Sequence, residues 1–165
     1  MNKRTVTWPE LQHLVSKICR DVSASNWRPD YIVGITRGGL VPAVLISHWL
    51  DVPLETLKVS LRDEGQTESN CWMSEDAFNG KNILIVDDIN DSGATINWII
   101  EDWRSNGLPD DPVWDNVWNK NVRYAVLFDN LASDAAITAD YTGVEINKAE
   151  NNAWIDFPFE DWWAK

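Results

Sequence analysis

Cysteine is scarce in this sequence, and long apolar runs are missing from it. The 165 residues include two cysteines, Cys19 and Cys71, so there is no disulfide framework and a reducing compartment is the simpler expectation. No run of about 18 apolar residues is present to span a membrane, and the first residues lack the apolar segment of a signal peptide. We therefore expect a soluble cytoplasmic protein with no membrane partner.

Basic residues are also few relative to acidic ones. Lys and Arg number 14 against 26 Asp and Glu, which gives a formal net charge of -12. Binding to nucleic acid needs clustered Lys and Arg, so this balance argues against a nucleic-acid partner. An anionic substrate would need local donors or a metal ion, while the bulk negative charge serves solubility.

The most informative stretch is residues 83–95, with the sequence ILIVDDINDSGAT. Its four leading apolar residues predict a strand buried on both faces of a parallel sheet, and such strands place ligands at their carboxyl ends. Asp87 and Asp88 follow at once, and a small-residue loop then leads into a helix predicted over 94–105. Paired carboxylates in this position suit a ribose diol or a hydrated Mg²⁺.

The loop at 91–95 has the features of a phosphate site without any cation. It opens a helix, so its backbone N–H groups and the positive end of the helix dipole can hold a phosphate. Ser92 and Thr95 add hydroxyl donors, and Gly93 lets the backbone approach the anion closely. The alternative is an ordinary capped helix with solvated carboxylates, but two adjacent acids, a third at Asp91 and the small-residue turn together favour the phosphate site.

Strands and helices alternate along the rest of the chain. Strands are predicted over 31–35, 54–61, 122–128 and 140–146, and helices over 40–50 and from the Thr7 N-cap onward. This alternation predicts an α/β fold class with a doubly wound, mostly parallel sheet flanked by helices. No repeat or linker divides the chain, so we expect one domain over 1–165.

Three segments depart from this alternation. Residues 62–78 lose periodicity and become polar and acidic, which predicts a mobile lid over the site or, alternatively, a floppy insertion. Residues 108–121 form an irregular insertion whose role the sequence does not indicate. Residues 150–165 are too aromatic for a free end and should fold back. Most of the eleven tryptophans should anchor the core or interfaces, and some can cover a planar ligand.

The segment DDINDSGAT at 87–95 resembles the phosphoribosyl-pyrophosphate signature of the type I phosphoribosyltransferases. A second match is TRGG at 36–39, the turn that holds pyrophosphate in that family, often through a non-proline cis peptide bond. Within the family the chain is similar to the bacterial xanthine-guanine enzymes, also in VTWPELQ at 6–12, LVPAVLISHWL at 40–50 and NAWIDFPFED at 152–161. The resemblance implies the family's α/β fold, with a small hood from the chain ends.

The resemblance also implies a function. It implies transfer of a 5-phosphoribosyl group from phosphoribosyl pyrophosphate to a nucleobase, a 6-oxopurine by family habit, with release of pyrophosphate in purine salvage. The implied cofactor is Mg²⁺, with Asp88 as its carboxylate ligand, and the implied assembly is a homodimer or homotetramer. The alternative is a catalytically weak regulator on the same fold that binds phosphoribosyl pyrophosphate or a nucleotide without turnover.

Site residues are carried over from the family by position. Asp91 matches the general base or acid near purine N7. Trp154 matches the aromatic residue that stacks on the base, and Ile155 the backbone that contacts its edge. The residues matched to phosphoribosyl pyrophosphate are Arg37 and Gly38 for pyrophosphate, Asp87 and Asp88 for the ribose hydroxyls, and Asp91, Ser92, Gly93, Ala94 and Thr95 for the 5'-phosphate.

Two positions depart from the family pattern. Asn130 stands where the family has a lysine that donates to the exocyclic 6-oxygen of the purine, and its amide can still donate a hydrogen bond, although it is shorter and uncharged. Glu68 stands where the family has a lid arginine that closes on pyrophosphate, and Arg62 is the only basic residue nearby in that segment. We expect Asn130 to face the base in the same cavity as Trp154.

Overall fold

The elements of the structure follow the predicted alternation of strands and helices. The computed structural model describes residues 2–61, 66–106 and 111–165. Its strands are β1 (Lys3–Thr5), β2 (Tyr31–Thr36), β3 (Leu54–Ser60), β4 (Gln66–Thr67), β5 (Ile83–Asn90), β6 (Val122–Asn130), β7 (Tyr141–Ile146) and β8 (Trp154–Asp156). Its α-helices are α1 (Trp8–Ala24), α2 (Leu40–Leu50), α3 (Cys71–Phe78) and α4 (Ala94–Ser105).

A six-stranded sheet in the order β4-β3-β2-β5-β6-β7 forms the centre of the structure. All pairs except β3 with β4 are parallel. Strand β5 lies between β2 and β6, and its residues 83–86 are completely buried. The prediction of a mostly parallel α/β sheet with this strand in its interior is therefore confirmed.

Helices cover both faces of this sheet, as the doubly wound pattern predicts. On one face, Ile18 of α1 and Ile46 of α2 share a core with Leu84. On the other, Met73 of α3 and Ile99 of α4 share a second core. Successive side chains of a strand point to opposite faces, so β5 contributes to both cores. None of the described helices is long and apolar enough to cross a membrane.

Much of the segment predicted as a lid is regular structure. Residues 62–65 lie outside the described residues, whereas β4 pairs with β3 and residues 71–78 form α3. The side chain of Asn70 accepts a hydrogen bond from the N–H of Met73 at 2.9 Å and so caps the helix. Met73 and Ala77, four residues apart, are fully buried. The prediction of an aperiodic loop is wrong for 71–78, because two buried residues at this spacing are enough to dock a two-turn helix.

The insertion and the tail both pack on the core. Within 108–121, residues 108–110 lie outside the described residues, and the buried Trp114 meets the ring of Phe78 edge-on at 5.8 Å. In the tail, β8 pairs with β1 in a separate two-stranded sheet, and Phe157 meets Phe128 of β6 edge-on at 5.7 Å. The predicted folding back of the aromatic tail into a hood is confirmed.

The turn from β5 into α4 depends on a glycine. Gly93 has a φ of +90°, a conformation that residues with a side chain rarely adopt. A Cβ at this position would overlap the backbone N of Ala135 and would lie 2.7 Å from its Cα. The N–H of Asp134 also donates to the carbonyl of Ser92 at 2.9 Å. The loop is therefore held against the backbone of 134–135.

Replacement of Gly93 by alanine should destabilise the protein more than Gly80→Ala. Both glycines have positive φ, but a Cβ at Gly80 would meet no atom within 4 Å. Gly80→Ala should therefore lower the free energy of unfolding by about 1–2 kcal/mol, the strain of placing an alanine in the left-handed backbone region. Gly93→Ala should lose roughly 1–3 kcal/mol more through the steric overlap. Urea unfolding measures both losses, and equal values would contradict the close packing of the loop.

Candidate active site

The carboxyl ends of β2 and β5 meet where the strand order reverses. The chain passes from β2 to β3 on one side and returns to β5 on the other. In open α/β sheets, ligands bind at such a switch point. The turn after β2 contains Arg37 and Gly38, and a Cβ on Gly38 would collide with the carboxylate of Asp88 at the end of β5. The two turns are therefore in direct contact.

A cleft of about 790 Å³ opens at this point. Among its lining residues are Arg37, Gly38, Asp87, Asp88, Asp91, Ser92, Gly93, Ala94, Thr95, Trp154 and Ile155. The structure thus brings together all residues predicted for phosphoribosyl pyrophosphate and two of the three predicted for the base. Residues that were not predicted for the site also line the cleft, among them Tyr124, Lys148, Glu160, Trp162 and Trp163.

The acid pair is oriented by the main chain at the end of β5. Asp87 Oδ1 accepts a hydrogen bond from the N–H of Asp88 at 2.9 Å, and Asp88 Oδ1 accepts one from the N–H of Ile89 at 2.8 Å. Asp87 is buried and Asp88 is half-buried. Both carboxylates are therefore held in defined positions at the floor of the cleft, where they can accept hydrogen bonds from sugar hydroxyls.

Negative charge is concentrated on this floor. Burial raises the pKa of Tyr124 well above its ordinary value, and the nearby carboxylates of Asp87 and Asp88 raise it further. Burial likewise raises the pKa of the Glu160 carboxyl, with a further contribution from Asp88. An anionic substrate therefore needs a counter-charge here. The oxygen donors of the acid pair are of the type that Mg²⁺ prefers.

A metal ion in this cleft would need ligands from the substrate as well as from the protein. In the described part of the chain, no group of three or more His, Cys, Asp or Glu residues could hold a metal ion. Mg²⁺ is usually bound by one or two carboxylates together with substrate phosphates and water. The acid pair on the cleft floor fits that pattern.

The loop at 91–95 lines the cleft where α4 begins. Gly93 is the N-cap residue of α4, so the first turn of this helix opens towards the space that the loop lines. Ser92 Oγ accepts a hydrogen bond from the N–H of Ala94 at 3.2 Å and stiffens the loop. An anion bound here meets the positive end of the α4 dipole.

The turn after β2 is packed tightly on β5. The peptide bond between Thr36 and Arg37 is cis, in agreement with the feature that the family often shows at this turn. The N–H of Gly39 donates to the carbonyl of Ile35 at 2.8 Å, and a Cβ on Gly39 would overlap the carbonyl oxygen of Val86. The exposed Arg37 side chain therefore projects from a firmly held backbone.

Asn130 does not line the cleft, contrary to the prediction. The residue is buried, and its Nδ2 donates to the carbonyl of Asp91 at 2.9 Å. Its Oδ1 accepts hydrogen bonds from the N–H groups of Ala132 at 3.1 Å and Lys148 at 2.9 Å. The prediction of a base contact is wrong, because these three bonds commit the amide to the main chain. Asn130 instead ties together the chain segments that follow β5, β6 and β7.

Lys148 provides a cation that the sequence reasoning missed. Its Nζ lies 3.1 Å from Asp91 Oδ1, and its side chain is 12% exposed. It belongs to the loop after β7, whose carboxyl end lies at the same edge of the sheet as that of β5. The sequence does contain a pattern that could have indicated Lys148 as a site residue. Lys148 is the only basic residue between Asn130 and Lys165, and it closely follows a predicted strand.

Comparisons with known proteins agree with this geometry. The family model described as phosphoribosyl transferase domain matches residues 4–161. Xanthine-guanine phosphoribosyltransferase of Nitratidesulfovibrio vulgaris Hildenborough is 36% identical over 104 residues, which cover 58% of this chain and 60% of that protein. The protein of the same name from Cereibacter sphaeroides is 39% identical over 98 residues, which cover 50% of this chain and 59% of that protein. The chain therefore matches about three fifths of the length of these curated relatives.

A solved structure is similar over a larger part of the chain. The crystal structure of purine phosphoribosyltransferase from Pyrococcus horikoshii OT3 has a TM-score of 0.69 and 26% sequence identity, and the match covers 97% of this chain and 95% of that one. The family model and the arrangement of the cleft agree with this likeness. The chain belongs to the family of phosphoribosyl transferase domain proteins.

Proposed function

We propose that this chain is an Mg²⁺-dependent nucleobase phosphoribosyltransferase that uses phosphoribosyl pyrophosphate and a purine, as in purine salvage. The observation that carries the proposal is one cleft lined by a phosphate loop, an acid pair, an arginine turn and Trp154. The names of the relatives, which are xanthine-guanine and purine phosphoribosyltransferases, support the substrate class.

The sugar phosphate would be held by the ends of β5 and β2. The amides of the loop at 91–95 bind the 5'-phosphate, and Asp87 and Asp88 accept hydrogen bonds from the ribose hydroxyls. The bond between ribose C1 and pyrophosphate breaks while a ring nitrogen of the base forms a new bond to C1. Negative charge develops on the leaving pyrophosphate, and Arg37 with the backbone at Gly38 stabilises it.

The base would be held at the other side of the cleft. Trp154 stacks on its plane, which contributes roughly 1–3 kcal/mol if it resembles other stacks between a base and an aromatic residue. The main chain of Ile155 contacts its edge, and Asp91 accepts its proton as the new bond forms.

Mg²⁺ is the cofactor that we propose, with Asp88 as its protein ligand. The concentration of carboxylates on the cleft floor supports this, because an anionic substrate would otherwise be repelled. Asp88 would hold the ion, which would supply positive charge to offset the negative charge of the pyrophosphate.

We also propose a cytoplasmic homodimer or homotetramer. Several large apolar side chains outside the cleft support self-association, since Trp8 and Trp49 are each 52% exposed and Trp72 is 47% exposed. Burial of such side chains favours association. Light scattering in solution should give a mass of two or four chains, and a monomer at micromolar concentration would contradict the proposal.

A panel of nucleobases with phosphoribosyl pyrophosphate, followed by pyrophosphate release, tests the proposed activity. Turnover is expected with at least one 6-oxopurine, to disappear with EDTA and to return with excess Mg²⁺. No turnover with any base, despite tight binding of phosphoribosyl pyrophosphate or a nucleotide, would favour the alternative of a regulator on the same fold.

Asp91→Asn should reduce turnover by roughly 10²–10⁴-fold, because it removes the group that accepts the proton from the base. Binding of phosphoribosyl pyrophosphate, measured by calorimetry, should change little, since the loop amides remain. Asp21→Asn is the matched control, because Asp21 also pairs with a lysine at 3.1 Å but lies on α1. An Asp91→Asn protein with unchanged turnover would remove Asp91 from the mechanism.

A further inference from the structure

The pair formed by Lys148 and Asp91 is built into one side of the cleft. The two charged groups lie 3.1 Å apart, with the lysine side chain 12% exposed and the aspartate side chain 30% exposed. An ordinary surface lysine keeps its ammonium group in bulk water, but here most of the side chain is covered. Among the described residues that line the cleft, Arg37 is the other basic one.

The buried amide of Asn130 positions both members of this pair. Its Nδ2 donates to the carbonyl of Asp91, and its Oδ1 accepts from the N–H of Lys148, each at 2.9 Å. The Asn130 side chain therefore fixes both the backbone of Asp91 and the backbone of Lys148. The backbones that carry the pair are therefore fixed by the fold, through hydrogen bonds from the buried Asn130 side chain to the main chain.

The two basic residues of the cleft lie at different ends of it. Arg37 follows β2, whereas Lys148 follows β7, which is three strands away in the sheet order. That separation corresponds to about 14 Å at the usual spacing between strands. Next to the loop after β7, Ile146 and Ile155 line a smaller cleft together, so this loop adjoins strand β8 and its Trp154. Lys148 therefore belongs to the side of the cleft assigned to the base.

The chemistry of the pair defines the base edge that it fits. An ammonium group can only donate hydrogen bonds, and an ionised carboxylate can only accept them. A 6-oxopurine presents an exocyclic oxygen beside ring atom N7, which can carry a proton in the free base. A 6-aminopurine presents an amino group in place of that oxygen, so the N–H donors of this amino group would face the N–H donors of the ammonium group. The pair is complementary to the first edge and mismatched with the second.

We propose that Lys148 determines specificity for 6-oxopurines by donating to the exocyclic oxygen at C6, a role that the family resemblance had placed at Asn130. This inference rests on the proposed function, because it assumes that a purine occupies the space beside Trp154. Asn130 is then a positioning residue, and the donor comes from the end of β7 instead of the end of β6.

Binding of two nucleotides that differ at C6 tests the role of Lys148. Inosine 5'-monophosphate and adenosine 5'-monophosphate share the sugar phosphate, so the ratio of their dissociation constants reports on the base contact alone. The wild type should prefer the inosine nucleotide by roughly tenfold or more, as expected for a hydrogen bond from a charged donor. Lys148→Met should bring the ratio close to one, mainly by weakening the inosine nucleotide, and Lys148→Arg should retain part of the preference.

Lys17→Met is the matched control, because Lys17 also pairs with an aspartate at 3.1 Å but lies on α1. It should keep the wild-type ratio. If Lys148→Met weakens both nucleotides equally, or neither, Lys148 only supports Asp91 or the fold and the inference is overturned. A wild type that binds neither nucleotide and turns over no base would overturn the proposed function itself, which is a separate result.

Discussion

Burial of β5 on both faces is the constraint on which the rest of the structure depends. Residues 83–86 carry no solvent exposure. A polar side chain on this strand can therefore reach solvent or a ligand only beyond the part that the helices cover. Asp87 and Asp88 stand at that point, and the loop at 91–95 follows as the chain turns into α4. The position of the cleft is therefore a consequence of packing, and its chemistry follows from the residues placed at the strand end.

The neighbouring strands complete the site from both sides. Strand β2 contributes the turn with Arg37, which is packed so closely on β5 that Gly38 leaves no room for a side chain beside Asp88. The ends of β6 and β7 are joined to the phosphate loop through the amide of Asn130. In the proposed function, the sugar phosphate and the base would thus be held by different strands of one sheet.

Local patterns predicted the parts of the fold that local physics determines. The bounds of α2 and α4 agree with those predicted, and the side chain of Thr7 accepts a hydrogen bond from the N–H of Glu10 at 3.2 Å as the predicted N-cap. The predicted base contact of Asn130 was wrong, because transfer by position assumed that the side chain at the end of β6 faces the cleft, as the family's lysine does. Only the tertiary fold shows that Asn130 is committed to the backbone while Lys148 reaches Asp91.

The central claim is that main-chain amides at the start of α4 bind the sugar phosphate. Titration with ribose 5-phosphate, followed in ¹H–¹⁵N spectra with assigned backbone amides, tests it directly. The largest shift changes should fall on residues 92–95, with smaller changes in later turns of α4 and little change in α1. Saturable binding that leaves the amides of 92–95 unchanged and moves signals elsewhere would contradict the account.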